Sequence, residues 1–302
     1  MMDMEKQCGA EASHQFLRGL LRIFRVIPFP LLNCIGDLFG VIAYYLVKER
    51  RYIGLSNLRI VFPDKPDKEL SIILKKCWQN IVKNMLELVK YNAVSREVIK
   101  DRVSIVGKEN LEQYIEKKRG IIALSAHFGN FPLLAQRLAI EGYPIAVIYR
   151  DMHNKFFAPM APTLQKASGI EPIPDRPRHR CVAMSLRWLK KGGILFLQID
   201  QNPSIDSGVA VDFFGKKLPT FRGPIIFATR TDSIIVPMFI MRKHDNHHQI
   251  IIDKPYTIKT TGDNEKDIKY NLEAISKITE DYIRRYPLFW WWIHKRFRLA
   301  IS

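Results

Sequence analysis

The sequence predicts an α/β protein with a mostly parallel central sheet flanked by helices and a helical section in front. Three observations carry this. Short continuous apolar runs, such as Ile121–Ala126 (IIALSA) and Ile194–Ile199 (ILFLQI), read as strands buried on both faces. Helical patterns alternate with those runs, as parallel strands joined by crossover helices require. The first hundred residues show helical periodicity and no strand run. A chain of 302 residues accommodates one large α/β domain in this arrangement. The expected division is 1–49 as an N-terminal membrane-associated helical segment and 50–302 as the α/β domain, with a helical lead-in over 50–100.

The stretch from Val26 to Val47 is apolar apart from Asp37, but Pro28, Pro30, Asn33, Gly36 and Gly40 interrupt it. A spanning helix needs about 20 apolar residues, and an aspartate at mid-membrane costs about 3 kcal/mol. Basic residues flank both ends: Arg18, Arg22 and Arg25 before, Lys48, Arg50 and Arg51 after. A helical pair lying in the membrane interface meets these constraints without either end crossing. A buried hairpin and a single span are the alternatives. Residues 50–62 have helical spacing and stop at Pro63. Asp67–Tyr91 reads as a long amphipathic helix with Leu70, Ile73, Leu74, Cys77, Ile81, Met85, Leu88 and Val89 on one side.

Strands and helices then alternate. Val103–Gly107 is a strand, Lys108–Lys118 a helix, Ile121–Ala126 a strand, Pro132–Glu141 a helix and Ile145–Tyr149 a strand. A helix is expected over 154–168, a strand over Ile170–Ile173, a helix over His179–Lys191 and a strand over Ile194–Ile199. After an irregular stretch come a short helix at Gly223–Thr231 and a hairpin of Ile234–Arg242 with Gln249–Ile252 about the polar turn His244–His248. Asp263–Tyr286 is the last long helix.

The charge narrows the choice of partner. Forty-seven Lys and Arg against 30 Asp and Glu leave a formal charge of +17, which asks for an anionic partner. The basic residues are spread along the chain, so they form a folded basic face rather than a tail. No zinc-finger spacing, RNA-binding aromatic signature or basic region with heptads is present, which argues against nucleic acid. Mean hydropathy of −0.10 excludes a polytopic membrane protein. Cys8, Cys34, Cys77 and Cys181 have no C-x2-C pairing and read as reduced thiols. His244, His247 and His248 sit on a polar turn without a carboxylate partner, so no metal is expected.

In parallel sheets, ligands bind at the carboxyl ends of strands. Three segments pass there from apolar strand to polar residues: Ser125–Pro132, Tyr149-Arg150-Asp151, and Ile199-Asp200-Gln201-Asn202. Gly129 permits a sharp turn and Asn130 can cap the following helix. His127 is the candidate base, since imidazole titrates near neutrality. On its own, such a histidine is more often a hydrogen-bonded residue at a strand end. No nucleophile elbow, P-loop or dinucleotide fingerprint occurs.

At this point the residues resemble a family. Arg50-Arg51, Asn57-Leu58, Phe62-Pro63, Val106-Gly107 and the block Ala126-His127-Phe128-Gly129-Asn130 come first. Tyr149-Arg150, Gly192-Gly193, Asp200-Gln201 and Phe213-Phe214-Gly215 follow. Gly223-Pro224, Arg230-Thr231, Val236-Pro237, Trp292, His294 and Arg296 complete the series. In that order and spacing, the chain is similar to the bacterial lipid A late acyltransferases of the lauroyl/myristoyl type, within the glycerolipid acyltransferase-like superfamily. The resemblance implies transfer of a fatty acyl chain from an acyl thioester, carried by acyl carrier protein, to a hydroxyl of a lipid A precursor or related membrane glycolipid. It places the reaction on the cytoplasmic face of the inner membrane, without metal or other cofactor. His127 would be the base. Arg150 would be a donor to the oxyanion or to a substrate phosphate, or else a surface partner of Asp151.

The family motif is H-x4-D/E, and here the sixth residue is Pro132. Proline suits the first turn of a helix, so the fold accommodates it while the usual dyad is lost. Either another carboxylate serves His127, Asp200 first and Asp151 second, or the chain is a weak or inactive member that binds anionic lipid. A lysophospholipid acyltransferase is a further alternative. Asn130, Gln201, Arg176, Arg178, Arg222 and Phe214 are the expected substrate-binding residues. Arg176 and Arg178 belong to a basic cluster at 176–180, and Arg222 joins Lys216 and Lys217 around Phe213-Phe214-Gly215; either cluster suits sugar phosphates or an acidic carrier. The aromatic-basic segment Trp290–Arg298 suits a headgroup-level belt, with one or two of its tryptophans in the core.

Overall fold

A computed structural model describes residues 2–150, 154, 156, 158–203 and 208–300, with side chains from residue 11 onward. The chain opens with four helices: α1 (Met2–Val26), α2 (Phe29–Leu46), α3 (Lys48–Val61) and α4 (Asp67–Ala93). Pro28, Pro63 and Pro66 punctuate them, because proline cannot donate within a helix but is tolerated at its start. Gly36 and Gly40 let α2 lie against α4. A Cβ at Gly40 would fall 2.4 Å from the Gln79 Cα, and one at Gly36 2.5 Å from the Lys83 side chain. Asp37, the lone charge of the apolar stretch, pairs with Lys83 of α4 at 2.8 Å. Lys90 of α4 donates to the carbonyls of Phe24, Arg25 and Ile27 at 2.8–3.0 Å. It thereby satisfies the orphan acceptors where α1 ends.

The amphipathic reading of α4 holds only for its first half. Leu70, Leu74, Cys77 and Ile81 are buried, but Met85 and Leu88 are exposed, while Asn84, Glu87 and Lys90 are buried. The second half turns a polar face inward because its neighbours there are Arg242, His248, Asn130 and the end of α1.

A seven-stranded sheet follows: β1 (Val103–Val106), β2 (Ile121–Ser125), β3 (Ile145–Tyr149), β4 (Glu171–Pro174), β5 (Ile194–Gln198), β8 (Ile234–Arg242) and β9 (His248–Ile252), in the order β1-β9-β8-β2-β5-β3-β4. The pairs β8–β2, β2–β5, β5–β3 and β3–β4 are parallel, β8–β9 is an antiparallel hairpin, and β1 runs parallel to β9. Ile121 and Ala123 join one core cluster and Ile122 and Leu124 another, so β2 is buried on both faces. That is the physical basis of its unbroken apolar run.

Helices α6 (Glu109–Glu116), α7 (Phe131–Ile140), α8 (Met160–Ala167), α9 (Arg178–Lys190), α10 (Gly223–Thr231) and α11 (Asn264–Arg285) flank the sheet. Two features escape the sequence pattern. One is α5 (Arg96–Arg102), a short helix running directly into β1. The other lies in the stretch read as irregular, which contains a separate antiparallel hairpin, β6 (Gly208–Phe213) and β7 (Lys216–Phe221). Its tight turn, with Phe214 and Gly215 both at positive φ, hides the strand signal between polar residues.

Candidate functional site

The site lies at the carboxyl ends of β2 and β5, neighbours in the sheet. Beyond Ser125 the backbone turns sharply: Phe128 N–H donates to the Ala126 carbonyl at 2.7 Å. Gly129 has φ +55, and a Cβ there would lie 2.0 Å from the Ile240 carbonyl oxygen. No other residue fits. The turn is pinned by the segment after α11: Gly129 N–H donates to Phe289 O (2.9 Å) and Trp291 N–H to His127 O (3.1 Å). The His127 ring is thereby directed toward the end of β5.

There it meets Asp200 and Gln201. His127 Nδ1 lies 2.9 Å from Asp200 Oδ1, and the His127 backbone N–H donates to both oxygens of the same carboxylate at 3.0–3.1 Å. The Trp290 indole donates to Asp200 Oδ2 at 2.8 Å. On the other side of the ring, Gln201 Nε2 lies 3.0 Å from His127 Nε2. An amide nitrogen only donates, so Nε2 accepts and the ring proton sits on Nδ1, donated to Asp200. The carboxylate is 2% exposed. Burial alone would push its pKa up; the His127 ring, the Trp290 indole and the His127 N–H outweigh burial and bring it down to about 2. Asp200 is therefore ionised and fully bonded.

Aromatic rings enclose the imidazole. Phe131, His294 and Trp291 have ring centroids 5.0, 5.3 and 5.8 Å from it. Burial, reinforced by the neighbouring His127, holds the His294 pKa below its ordinary value. Next to the pair, a cavity of about 270 Å3 is lined by Asp200, Gln201, Asn202, His294, Lys295, Arg296 and Arg298 among others.

Of the residues expected to act together, His127, Asp200 and Gln201 converge and the rest do not. Asn130 is 1% exposed and faces away: it caps α7 through Leu133 N–H (3.3 Å) and donates to Glu87 Oε2 at 2.9 Å. Arg150 is exposed and pairs with Asp175 at 3.0 Å. Asp151 lies outside the described residues. Arg176 and Arg178 are exposed at the entry to α9. Arg222 pairs with Glu265 on α11 at 2.8 Å. Phe214 is a core residue packed on Phe213 and Phe297. Pro132 is the second residue of α7.

In the aromatic-basic segment two of the three tryptophans are core: Trp290 and Trp292 are 0% exposed and, with Arg296 at 2%, form the floor of the site, while Lys295 and Arg298 stay exposed. Its packed run of tryptophans was the available sign of this role. Glu87 was missed altogether. It is buried beneath Asn130, bonded by Arg242 and His248, and although burial pushes its pKa up, those two partners hold the carboxyl well below the carboxylate range. The histidines of the β8–β9 turn part company: His247 pairs with Asp245, and His248 enters the core on Glu87. No group of three metal-ligating side chains occurs among the described residues.

Comparison with known proteins matches this architecture to a family. The lipid A lauroyltransferase of Escherichia coli is 23% identical over 93% of this chain and 89% of its own length. The palmitoleoyltransferase of the same organism is 22% identical over the same shares. A lipid A biosynthesis acyltransferase of Haemophilus influenzae is 24% identical over 93% of this chain and 88% of its own. A solved 1-acyl-sn-glycerophosphate acyltransferase from Thermotoga maritima overlaps at a TM-score of 0.37 with 15% identity, covering 82% of this chain and 97% of that one. The family described as bacterial lipid A biosynthesis acyltransferase matches residues 11–299. A match that runs through almost the whole chain, with the His127 turn and the Trp290 segment inside it, makes this protein a member of that family and an acyltransferase.

Proposed function

We propose that the protein moves a fatty acyl chain from acyl carrier protein to a hydroxyl of a phosphorylated lipid A precursor, with His127 as general base and Asp200 in the place of the missing motif carboxylate. The observation that carries this is the His127–Asp200 contact. It orients the ring, fixes the proton on Nδ1 and leaves Nε2 as the basic atom. The acceptor hydroxyl takes the position of the Gln201 amide at Nε2. Its oxygen attacks the thioester carbonyl carbon as its proton passes to Nε2. The tetrahedral intermediate collapses, the C–S bond breaks, and the thiolate takes the proton back from the imidazolium, whose charge Asp200 stabilises. Gln201, released from the ring, is a donor within reach of the developing oxyanion.

The same reading puts the enzyme on the cytoplasmic face of the inner membrane through its helical section. Of the exposed large apolar side chains among the described residues, all but Val106, Phe221 and Tyr270 precede residue 95. Helix α2 is the one described helix long and apolar enough to cross a bilayer. Its packing along α4, with Asp37 on Lys83, favours lying in the interface instead. The retained and ionised carboxylate at His127 favours an active enzyme over a binding relative.

The test is hydroxyl-dependent consumption of an acyl thioester by purified protein, with lipid mass spectrometry of cells with and without the gene to name acceptor and chain. His127→Ala abolishes transfer. Asp200→Asn lowers it about 10⁴-fold if the carboxylate serves the ring as it does in the serine-protease triad, the comparison from which that figure is taken. Wild-type turnover in Asp200→Asn would remove Asp200 from the mechanism. A lysophospholipid as the sole acylated product would redirect the acceptor.

A further inference from the structure

The cavity beside the catalytic pair contains a cation that the proposed proton transfer does not use. The Arg296 guanidinium is 2% exposed. Its hydrogen bonds all go to neutral oxygens: Nη1 to Asn202 Oδ1 (2.6 Å) and the Pro219 carbonyl (2.9 Å), and Nη2 to Thr220 Oγ1 (3.0 Å). Its Nε is buried and bonds nothing. The carboxylate that acts on it is Asp200, which is already committed to His127 and Trp290. A buried charge without a bonded counter-charge is strongly disfavoured. Such an arrangement persists where an anion completes it. Arg298, on the same cavity wall, is exposed, and its side chain makes no ion pair or hydrogen bond among the described residues. Lys295 at the rim pairs with the exposed Glu49. His294 adds a buried Nε2 that bonds nothing.

We infer that Arg296 and Arg298 form a phosphate-binding subsite that seats a phosphate ester of one substrate alongside His127 and Asp200. Guanidinium groups match the geometry of phosphate oxygens. At about 270 Å3 the cavity is smaller than the roughly 300–1,000 Å3 that encloses a whole small molecule, so it takes one group of a larger substrate. Asn202, holding Arg296 from the residue after Gln201, links the subsite to the reacting end of β5. The assignment rests on the acyl-transfer reading above for its role, and on the buried guanidinium for its chemistry. Two sources supply that group: a phosphate on the acceptor glycolipid, or the phosphodiester of the carrier arm that bears the thioester.

The test separates binding from turnover. Full-length protein in detergent is titrated with inorganic pyrophosphate, read by tryptophan fluorescence, because Trp291 stacks on His294 at the cavity wall. The wild type saturates. Arg298→Gln weakens binding about tenfold, as loss of one charge-assisted contact predicts. Arg296→Lys, checked for an intact melt, keeps the charge but loses the fork and weakens it as well. Lys243→Gln, an exposed lysine in the β8–β9 turn, leaves binding unchanged. In steady-state assays Arg298→Gln raises the KM of the substrate that carries the phosphate. A rise for the acceptor assigns the group to the glycolipid, and a rise for the donor assigns it to the carrier arm. Absence of saturable pyrophosphate binding, or equal weakening by Lys243→Gln, overturns the subsite. Pyrophosphate binding in a protein that transfers no acyl group would overturn the proposed reaction and leave the subsite standing.

Discussion

Burial raises the Asp200 pKa, but the charge interaction with the His127 ring and the hydrogen bonds from His127 and Trp290 outweigh it and keep the carboxylate ionised, and that has a consequence for acid stability. Its folded pKa, about 2, lies below its ordinary 3.8. A depressed carboxyl contributes stability that is fully present above its unfolded value and lost as pH falls through the folded one. The window is therefore between about pH 4 and pH 2. In acid titrations followed by circular dichroism, Asp200→Asn should flatten the pH dependence in that window relative to wild type. An identical profile would mean the carboxylate is not ionised in the native protein. Pro132 belongs to the same scale. Both nitrogens of His127 are already engaged, by Asp200 and Gln201, so a carboxylate restored at 132 has no ring nitrogen left to serve. Pro132→Glu should leave transfer undiminished. Loss of activity with an unchanged melt would show that the first turn of α7 needs proline. Asp200 and Gln201 were legible in the sequence because they end an apolar run. Glu87 was not, and Arg296, though part of the family series, gave no sign of its burial, because a buried charge is recognised by partners distant in sequence, as Arg242 is from Glu87.

Among the elements, α4 does the most connecting. Its first half buries apolar residues, and its second half buries Asn84, Glu87 and Lys90. Through Glu87 it supports Asn130 at the base of the His127 turn, and through Lys90 it closes α1. Cys77 Sγ and Asn80 Nδ2 bond the Trp290 and Leu288 carbonyls of the segment that forms the site floor. The periodicity of this helix announced an amphipathic element but misplaced the buried face of its second half. Periodicity counts apolar residues, whereas satisfied polar networks bury others. The contact of α2 with α4 is tight enough to test. Gly40→Leu must push a side chain into the Gln79 backbone, and overpacking of this kind costs about 1–3 kcal/mol. The expected outcome is a lowered melting temperature. An unchanged melt would mean that α2 is held independently of this crossing.

At the scale of the whole molecule, apolar exposure is concentrated in the helical section while the sheet is closed on both faces. The proposed membrane contact would combine the formal charge of +17, attracted to anionic lipid, with these exposed apolar side chains. Leu38 and Leu46 are 59% and 74% exposed on α2. The double change Leu38→Glu with Leu46→Glu should therefore reduce flotation with anionic vesicles and leave the melt in detergent unaltered. Flotation equal to wild type would place the membrane contact elsewhere.

The sequence by itself determined the class of the fold, the order of its main elements and the positions of His127, Asp200 and Gln201. Strand burial, glycine turns and strand-end polarity are local signals, each written within a few residues. It also showed the absence of a carboxylate at Pro132. Only the tertiary structure brought Asp200, and not Asp151, into contact with the His127 ring among the described residues, because the ends of β2 and β5 meet through parallel pairing across some seventy residues of chain. It likewise decided which tryptophans are core, Trp290 and Trp292 at the floor of the site, and it put Arg150 on Asp175 rather than beside His127. Those outcomes depend on which side chains become neighbours in three dimensions, and hydrophobic periodicity carries no record of partners so far apart.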